Sequence, residues 1–205
     1  MTIRGNPDFS SLLYFIGKQF TGISFDLIWR REVRGRENIP PHGAGVIFAA
    51  NHRSLADPNL VGSAVPYPIH YFAKEELFKV PLLGWYIRKV NAFPVRRSAH
   101  DVGAFKKAKT LLELGEGLLL FPEGTRPRTE EKRWAIKPGL GLLACQTGKA
   151  VVPVGVRNSE NFTKLGKVRV WFGAPMPPPV GRGREAYQEF SDRVMRRIRE
   201  LVEAP

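Results

Sequence analysis

An α/β fold is predicted for this chain: a mostly central β-sheet flanked by helices, preceded by an amphipathic helical segment at the N-terminus. Three observations predict it. Short β-branched or aromatic runs, bounded by Gly, Pro or polar residues, recur from residue 45 onwards. Apolar residues at helical spacing fill the stretches between them. The length of 205 residues, with 43% hydrophobic and 25% charged residues, suits one globular domain with a real core rather than a disordered chain.

The elements follow in order. Phe9, Leu13, Ile16, Phe20, Ile23 and Leu27 step by four and three, which predicts an amphipathic helix, or two short ones broken near Thr21-Gly22. Lys18, Gln19 and Asp26 interrupt the run before the ~20 apolar residues of a bilayer span accumulate. No small-residue cleavage site follows it, so it does not read as a signal peptide. Arg30, Arg31, Arg34 and Arg36 come next, and an aromatic-rich apolar face with a basic flank is how an interfacial membrane anchor reads. An ordinary helix packed on its own domain shows the same period. Strands are expected at 45–50, 69–73, 117–121, 151–156 and 168–172. Pro153 puts its strand at an edge or at a bulge, because proline donates nothing to a ladder. Helices are expected at 58–64, across "VPLLGWYIRKV" (80–90), at 101–114, at 139–147, and in a tail marked by Tyr187, Phe190, Val194, Ile198 and Leu201. The division is an anchor segment, 1–36, and a single α/β domain, 37–205. Alternating strands and helices imply right-handed crossovers.

The charge narrows the partners. A net +13 favours an anionic partner: nucleic acid, acidic lipid, or a phosphorylated or CoA-like molecule. Nucleic acid is disfavoured, because the cations are dispersed and no recognition motif appears. One cysteine, Cys145, cannot form an intramolecular disulfide, and its apolar setting reads as a buried structural thiol. The four histidines are scattered, and no metal-ligand spacing occurs among them.

Two stretches carry candidate chemistry. In "AANHRSLADPNL" (49–60), His52 follows a strand and Asp57 comes five residues later. On one continuous helix that step turns about 140°, and the two side chains would point apart. A strand, a turn and a new helix would instead let Asp57 fold back on His52. A carboxylate on one imidazole nitrogen fixes the tautomer and raises the basicity of the other, as a general base requires. Asp57-Pro58 is equally the signature of a helix N-cap. In "FPEGTRPR" (121–128), Gly124 permits close backbone approach, Thr125 offers a hydroxyl, and Arg126 a forked donor for phosphate or carboxylate. Glu123 is placed to hold that guanidinium or a substrate hydroxyl. Arg97 and Lys137 are further cations that would converge there. No G-x-S-x-G elbow and no Walker lysine loop is present, and "GLGLLA" (139–144) lacks the strand that a dinucleotide loop needs.

Together these stretches resemble the PlsC-like glycerolipid acyltransferases, among them the 1-acylglycerol-3-phosphate acyltransferases. The first motif of that family, N-H, four residues, D, is similar to Asn51-His52 through Asp57. Its second block resembles residues 73–97, with Lys74, Pro81, Gly84, Trp85 and Arg97 in matching places. F-P-E-G-T-R is complete at Phe121–Arg126, and "VVPVGV" around Pro153 resembles the fourth. One departure is Asn91, where many members carry glycine. The resemblance covers roughly residues 45 to 156.

It implies a glycerol-3-phosphate acyltransferase-like fold. It also implies an enzyme moving a fatty acyl group from acyl-CoA or acyl carrier protein to the free hydroxyl of 1-acyl-glycerol-3-phosphate, giving phosphatidic acid. His52 would be the general base, oriented by Asp57. Glu123, Gly124, Thr125 and Arg126, with Arg97, would bind the glycerol phosphate, while Lys137 is a candidate on charge and position alone. Neither an acyl-enzyme nor a cofactor is implied, and the enzyme would sit on an anionic membrane at its cytoplasmic face. The alternatives are another acceptor, either a different lyso-lipid or glycerol 3-phosphate, and, more remotely, a non-catalytic basic membrane-binding protein.

Overall fold

A computed structural model describes residues 9–96, 101–126, 136–164 and 166–204, with side chains for all of these except 9–16 and 162–164. The elements are α1 (Phe9–Ile28), β1 (Glu32–Arg34), β2 (Val46–Ala50), α2 (Asp57–Ala64), β3 (Ile69–Lys74), α3 (Leu83–Lys89), β4 (Ala92–Val95), α4 (Val102–Glu113), β5 (Gly117–Leu120), α5 (Gly139–Thr147), β6 (Val151–Arg157), β7 (Arg169–Phe172) and α6 (Arg184–Glu203). Seven strands form one sheet in the order β1-β7-β6-β2-β5-β3-β4. The five from β6 to β4 run parallel, and β7 and β1 run against them at one edge. The predicted fold class holds.

β2 lies at the centre and is buried along its whole length. Its alternation separates two apolar layers, because successive side chains face opposite sides. Val46, Phe48 and Ala50 pack towards α1 and α2 with Leu60, Val61 and Phe25. Ile47 and Ala49 face α4, α5 and α6 with Leu112, Leu143 and Ile198. Each fully buried Val, Leu, Ile or Phe among them contributes roughly 1.5–3 kcal/mol. α5 approaches α6 closely at Gly141, where an added Cβ would stand 2.2 Å from the Tyr187 carbonyl oxygen. That explains the small residues of "GLGLLA" as helix packing.

The structure corrects several expectations. Pro153 lies on β6, which is internal, between β7 and β2. Its carbonyl accepts from Gly173 N at 2.8 Å, so its nitrogen faces the β7 side where β7 has just ended at Phe172. A missing N–H there leaves no rung empty, so the strand needs neither an edge nor a bulge. Of the two readings of the N-terminal stripe the first holds: α1 is one helix through Thr21-Gly22, with Gly22 buried against Ser63 of α2. The helix expected at 80–90 begins only at Leu83, after a 3₁₀ turn over Glu75–Lys79. Cys145 is half-buried rather than buried. Asn91 takes a φ of 61°, the left-handed region that asparagine tolerates better than other non-glycine residues.

Arg31 is a further surprise. Its side chain is 2% exposed, bonding Asp26 at 2.8 Å, Ser63 Oγ at 2.6 Å and the Leu60 carbonyl at 3.2 Å. It therefore joins α1 to α2 and is not available to a membrane surface. Arg34 stacks over Trp171 at 5.0 Å. Glu32 is held down to about 2, first by its hydrogen bond from Lys167. These contacts belong to β1, a three-residue strand too rich in charge to be read from sequence.

Candidate active site

The C-terminal ends of β2, β5, β3 and β6 share one edge of the sheet, and the loops leaving it carry the candidate residues. In open α/β sheets this is where ligands bind. β2 ends at Ala50, one rung short of β6. The Asn51 side chain fills the gap: Nδ2 donates to the Val156 carbonyl at 2.8 Å, and Oδ1 accepts from Val156 N at 2.7 Å. With Asn51 fixed in the ladder, the next residue must turn off the sheet edge. That residue is His52.

His52 and Asp57 do meet. His52 Nδ1 lies 3.0 Å from Asp57 Oδ2, and Asp57 is fully buried. The same oxygen accepts from the amides of Arg53 at 2.6 Å and Ser54 at 2.7 Å. Asp57 is therefore not the helix cap that Asp-Pro suggested. Ala56 occupies the cap position without a side-chain bond, and the carboxylate reaches back into the loop instead. Three donors converge on Oδ2, while Oδ1 is buried and meets no donor among the described residues. A carboxylate so placed favours the tautomer that carries its proton on Nδ1.

His52 is 7% exposed. Its ring stacks on Phe121, centroids 4.0 Å apart and planes 19° apart, which fixes the imidazole orientation. Its Nε2 has no hydrogen-bonding partner among the described residues. The ring is thus held in one orientation, with Nε2 unoccupied by any described residue.

Phe121 begins the F-P-E-G-T-R stretch, so the two turns are one unit. Glu123 accepts from His52 N at 3.3 and 3.4 Å through its two oxygens. Its carboxylate braces the histidine turn rather than holding Arg126. Gly124 has a φ of 72°, and an added Cβ there would meet nothing within 4 Å. Backbone strain, not crowding, is what would resist a side chain. Thr125 and Arg126 are exposed, and Arg126 pairs with no described residue. Arg97 lies outside the described residues. Lys137 is exposed at the start of α5, beside Ile136, whose carbonyl accepts from Gln188 Nε2 of α6 at 3.1 Å. The structure therefore assembles His52, Asp57 and Glu123 by direct contact, with Gly124, Thr125 and Arg126 continuing the same turn. It records no contact from Lys137 to them.

Sequence reasoning assigned no role to Asn51 or Phe121, although both stood inside the quoted motifs. An asparagine at a strand end and an aromatic residue before P-E-G were the available signals. Cys145 lies on α5 with Sγ 3.9 Å from the Gly181 carbonyl, away from this edge. No group of three His, Cys, Asp or Glu among the described residues is arranged to hold a metal.

Comparison with known proteins bears on the family and the fold. A family model described as Acyltransferase matches residues 30–157. A 1-acyl-sn-glycerol-3-phosphate acyltransferase of Bacillus subtilis is 34% identical over 150 residues, covering 71% of this chain and 73% of that one. A chloroplastic 1-acyl-sn-glycerol-3-phosphate acyltransferase of Arabidopsis thaliana is 28% identical over 173 residues, 80% of this chain. The match covers 48% of the plant protein, so the chain spans about half that relative's length. The crystal structure of the 1-acyl-sn-glycerophosphate acyltransferase PlsC from Thermotoga maritima aligns with a TM-score of 0.75 at 28% identity, covering 99% of this chain and 85% of that one. The family match spans both the histidine turn and the F-P-E-G-T-R turn, and by it this chain belongs to the Acyltransferase family.

Proposed function

We propose that the protein transfers a fatty acyl group from a thioester donor to the free hydroxyl of a 1-acyl-glycerol-3-phosphate, forming phosphatidic acid. The observation that carries this reading is the 3.0 Å contact between His52 Nδ1 and the buried Asp57 carboxylate, with Nε2 left free. His52 Nε2 takes the proton of the acceptor hydroxyl as its oxygen attacks the thioester carbonyl. The C–S bond then breaks, and the proton passes from His52 to the departing thiolate. Asp57 stabilises the imidazolium formed in between. Positioned acid-base catalysis of this kind contributes about 10²–10⁴ in rate. No acyl-enzyme is required, since direct attack by the acceptor hydroxyl completes the transfer in one sequence.

Thr125 and Arg126 are the groups of the second turn free to meet the phosphate, with Arg97 and Lys137 as further cations. Both products and substrates are amphiphiles, which suits an apolar groove of about 210 Å³ between α1, α2 and α3, lined in part by Gly17, Thr21, Tyr71, Trp85 and Val90. Phe20, Ile23 and Leu27 of α1 point outwards, and this exposed stripe supports peripheral attachment to an anionic membrane, which we assign to the cytoplasmic face. No described helix is long and apolar enough to cross a membrane.

The test is a donor-acceptor panel with products identified by mass spectrometry. It offers acyl-CoA and acyl carrier protein thioesters against lysophosphatidate, other lyso-lipids and glycerol 3-phosphate. Phosphatidic acid formed by the native chain, and lost in His52→Ala, supports the reading. Retained turnover in His52→Ala, or transfer confined to another acceptor, overturns the mechanism or the substrate assignment respectively.

A further inference from the structure

The segment between β3 and α3 displays apolar side chains that the fold does not use. Leu82 is 83% exposed and Trp85 60%, with Val80 and Leu83 also exposed beside them. Isolated apolar residues on a surface are ordinary, but a run of four within six positions is not. The backbone is strained to present them. Leu82 sits at φ 59°, ψ −52°, and the Pro81 carbonyl accepts from Leu83 N at 2.6 Å. That is the rare form of γ-turn, costly for a side chain larger than glycine. The turn is also stiff: Gly84 N donates to the Val80 carbonyl at 2.7 Å, and an added Cβ at Gly84 would stand 2.4 Å from the Phe78 carbonyl oxygen.

Three features say what covers it. Lys79, Arg88 and Lys89 are exposed on either side, a cationic rim around an apolar tip. The segment leaves β3 at the sheet edge that bears His52. It also adjoins α1, whose outward stripe of Phe20, Ile23 and Leu27 flanks the same groove. An apolar tip ringed by cations, continuous with an amphipathic helix, matches an anionic lipid leaflet.

We propose that the turn Val80–Trp85 is a second membrane-contacting element. Leu82, Leu83 and Trp85 enter the interfacial layer, and Lys79 and Lys89 meet anionic headgroups. Tyr86 Oη donates to Asn59 Oδ1 of α2 at 3.2 Å, so the turn is tied to the helix that carries Asp57. Two contact points, α1 and this turn, then fix the tilt of the active-site edge over the leaflet. The inference rests on the proposed lipid acceptor, since an acceptor anchored in the bilayer is what makes tilt matter.

The test uses the full chain with Cys145→Ser and a single environment-sensitive dye at Leu82→Cys. A control carries the dye at Val180→Cys, which follows β7 beyond the opposite sheet edge. Vesicles contain phosphatidylcholine and phosphatidylglycerol in equal parts, with brominated lipids as quenchers. A blue shift and quenching at 82, absent at 180, is the expected result. Protein that pellets with vesicles while the dye at 82 stays in water overturns the proposal and leaves the acyltransferase reading standing. Protein that stays in the supernatant overturns it together with α1 attachment. Leu82→Gly provides an independent arm. Relief of the positive φ should leave the melting temperature unchanged or higher, while vesicle partitioning weakens about tenfold. Undiminished partitioning overturns the proposal. Turnover of a short-chain, monomeric acceptor, measured on the same variant, reports separately on the catalytic reading.

Discussion

At the scale of the residue, two side chains divide labour that the motif presents as one unit. Asn51 is a structural plug and Asp57 an electrostatic one. Asn51→Ala leaves a buried N–H and C=O of Val156 without partners, and should cost about 2–4 kcal/mol in urea unfolding. Asp57→Asn keeps an oxygen for the Arg53 and Ser54 amides but removes the charge. Its melting temperature should barely move, while kcat falls about 10²–10⁴-fold. A variant that loses both equally would make Asp57 a structural residue. His70 supplies a pH effect away from the site. Burial pushes its pKa below 6.5, against the pull of Glu116 at 3.7 Å and with Lys107 adding to the burial effect. The folded chain therefore prefers the neutral ring, and the unfolded chain binds the proton first. Stability present above pH 6.5 should decline as the pH falls through and below that value. Melting curves of His70→Gln should lack that part of the decline.

At the scale of the element, Arg31 decides how α1 is held. The helix offers Phe25 to the core, but the bonds from Arg31 to Asp26, Leu60 and Ser63 set its angle on α2. Arg31→Met removes them while keeping apolar length. We expect a loss of about 1–3 kcal/mol, less than for a fully buried pair, because Asp26 is half exposed and can be resolvated. Limited proteolysis should then cut within α1 before the α/β domain. Equal protection of α1 in the variant would show that Phe25 packing alone suffices.

At the scale of the whole molecule, the proposed membrane attachment draws on both the charge of +13 and the outward apolar stripe. Deleting residues 1–29 would be an unfair test of attachment, because it also takes Phe25 from the core and the Asp26 partner from Arg31. Replacing Phe20, Ile23 and Leu27 with Asn removes exposed groups only. The chain should stay folded by circular dichroism yet lose co-sedimentation with anionic vesicles. Raising salt from about 0.1 to about 1 M shortens screening from roughly 10 to 3 Å, and should weaken binding of the native chain in the same assay. Salt-independent binding would leave apolar insertion, without the cations, as the sole attachment.

Alternation of apolar runs was enough to place five of the seven described strands, most of the described helices and both candidate turns, because period and turn chemistry are local properties. What the chain could not announce were facts about neighbours. β1 carries two charges in three residues, and only its pairing with β7 makes it a strand. Pro153 looked unfit for an interior strand until the ladder revealed that its nitrogen faces the end of β7. Arg31 read as one of four surface arginines, and only the approach of α2 buries it. Even the spacing of His52 and Asp57 was silent, since five residues permit contact or prevent it. The tertiary structure decided, by plugging β2 with Asn51, turning the chain at the sheet edge and offering Asp57 two loop amides that draw its carboxylate back towards the imidazole.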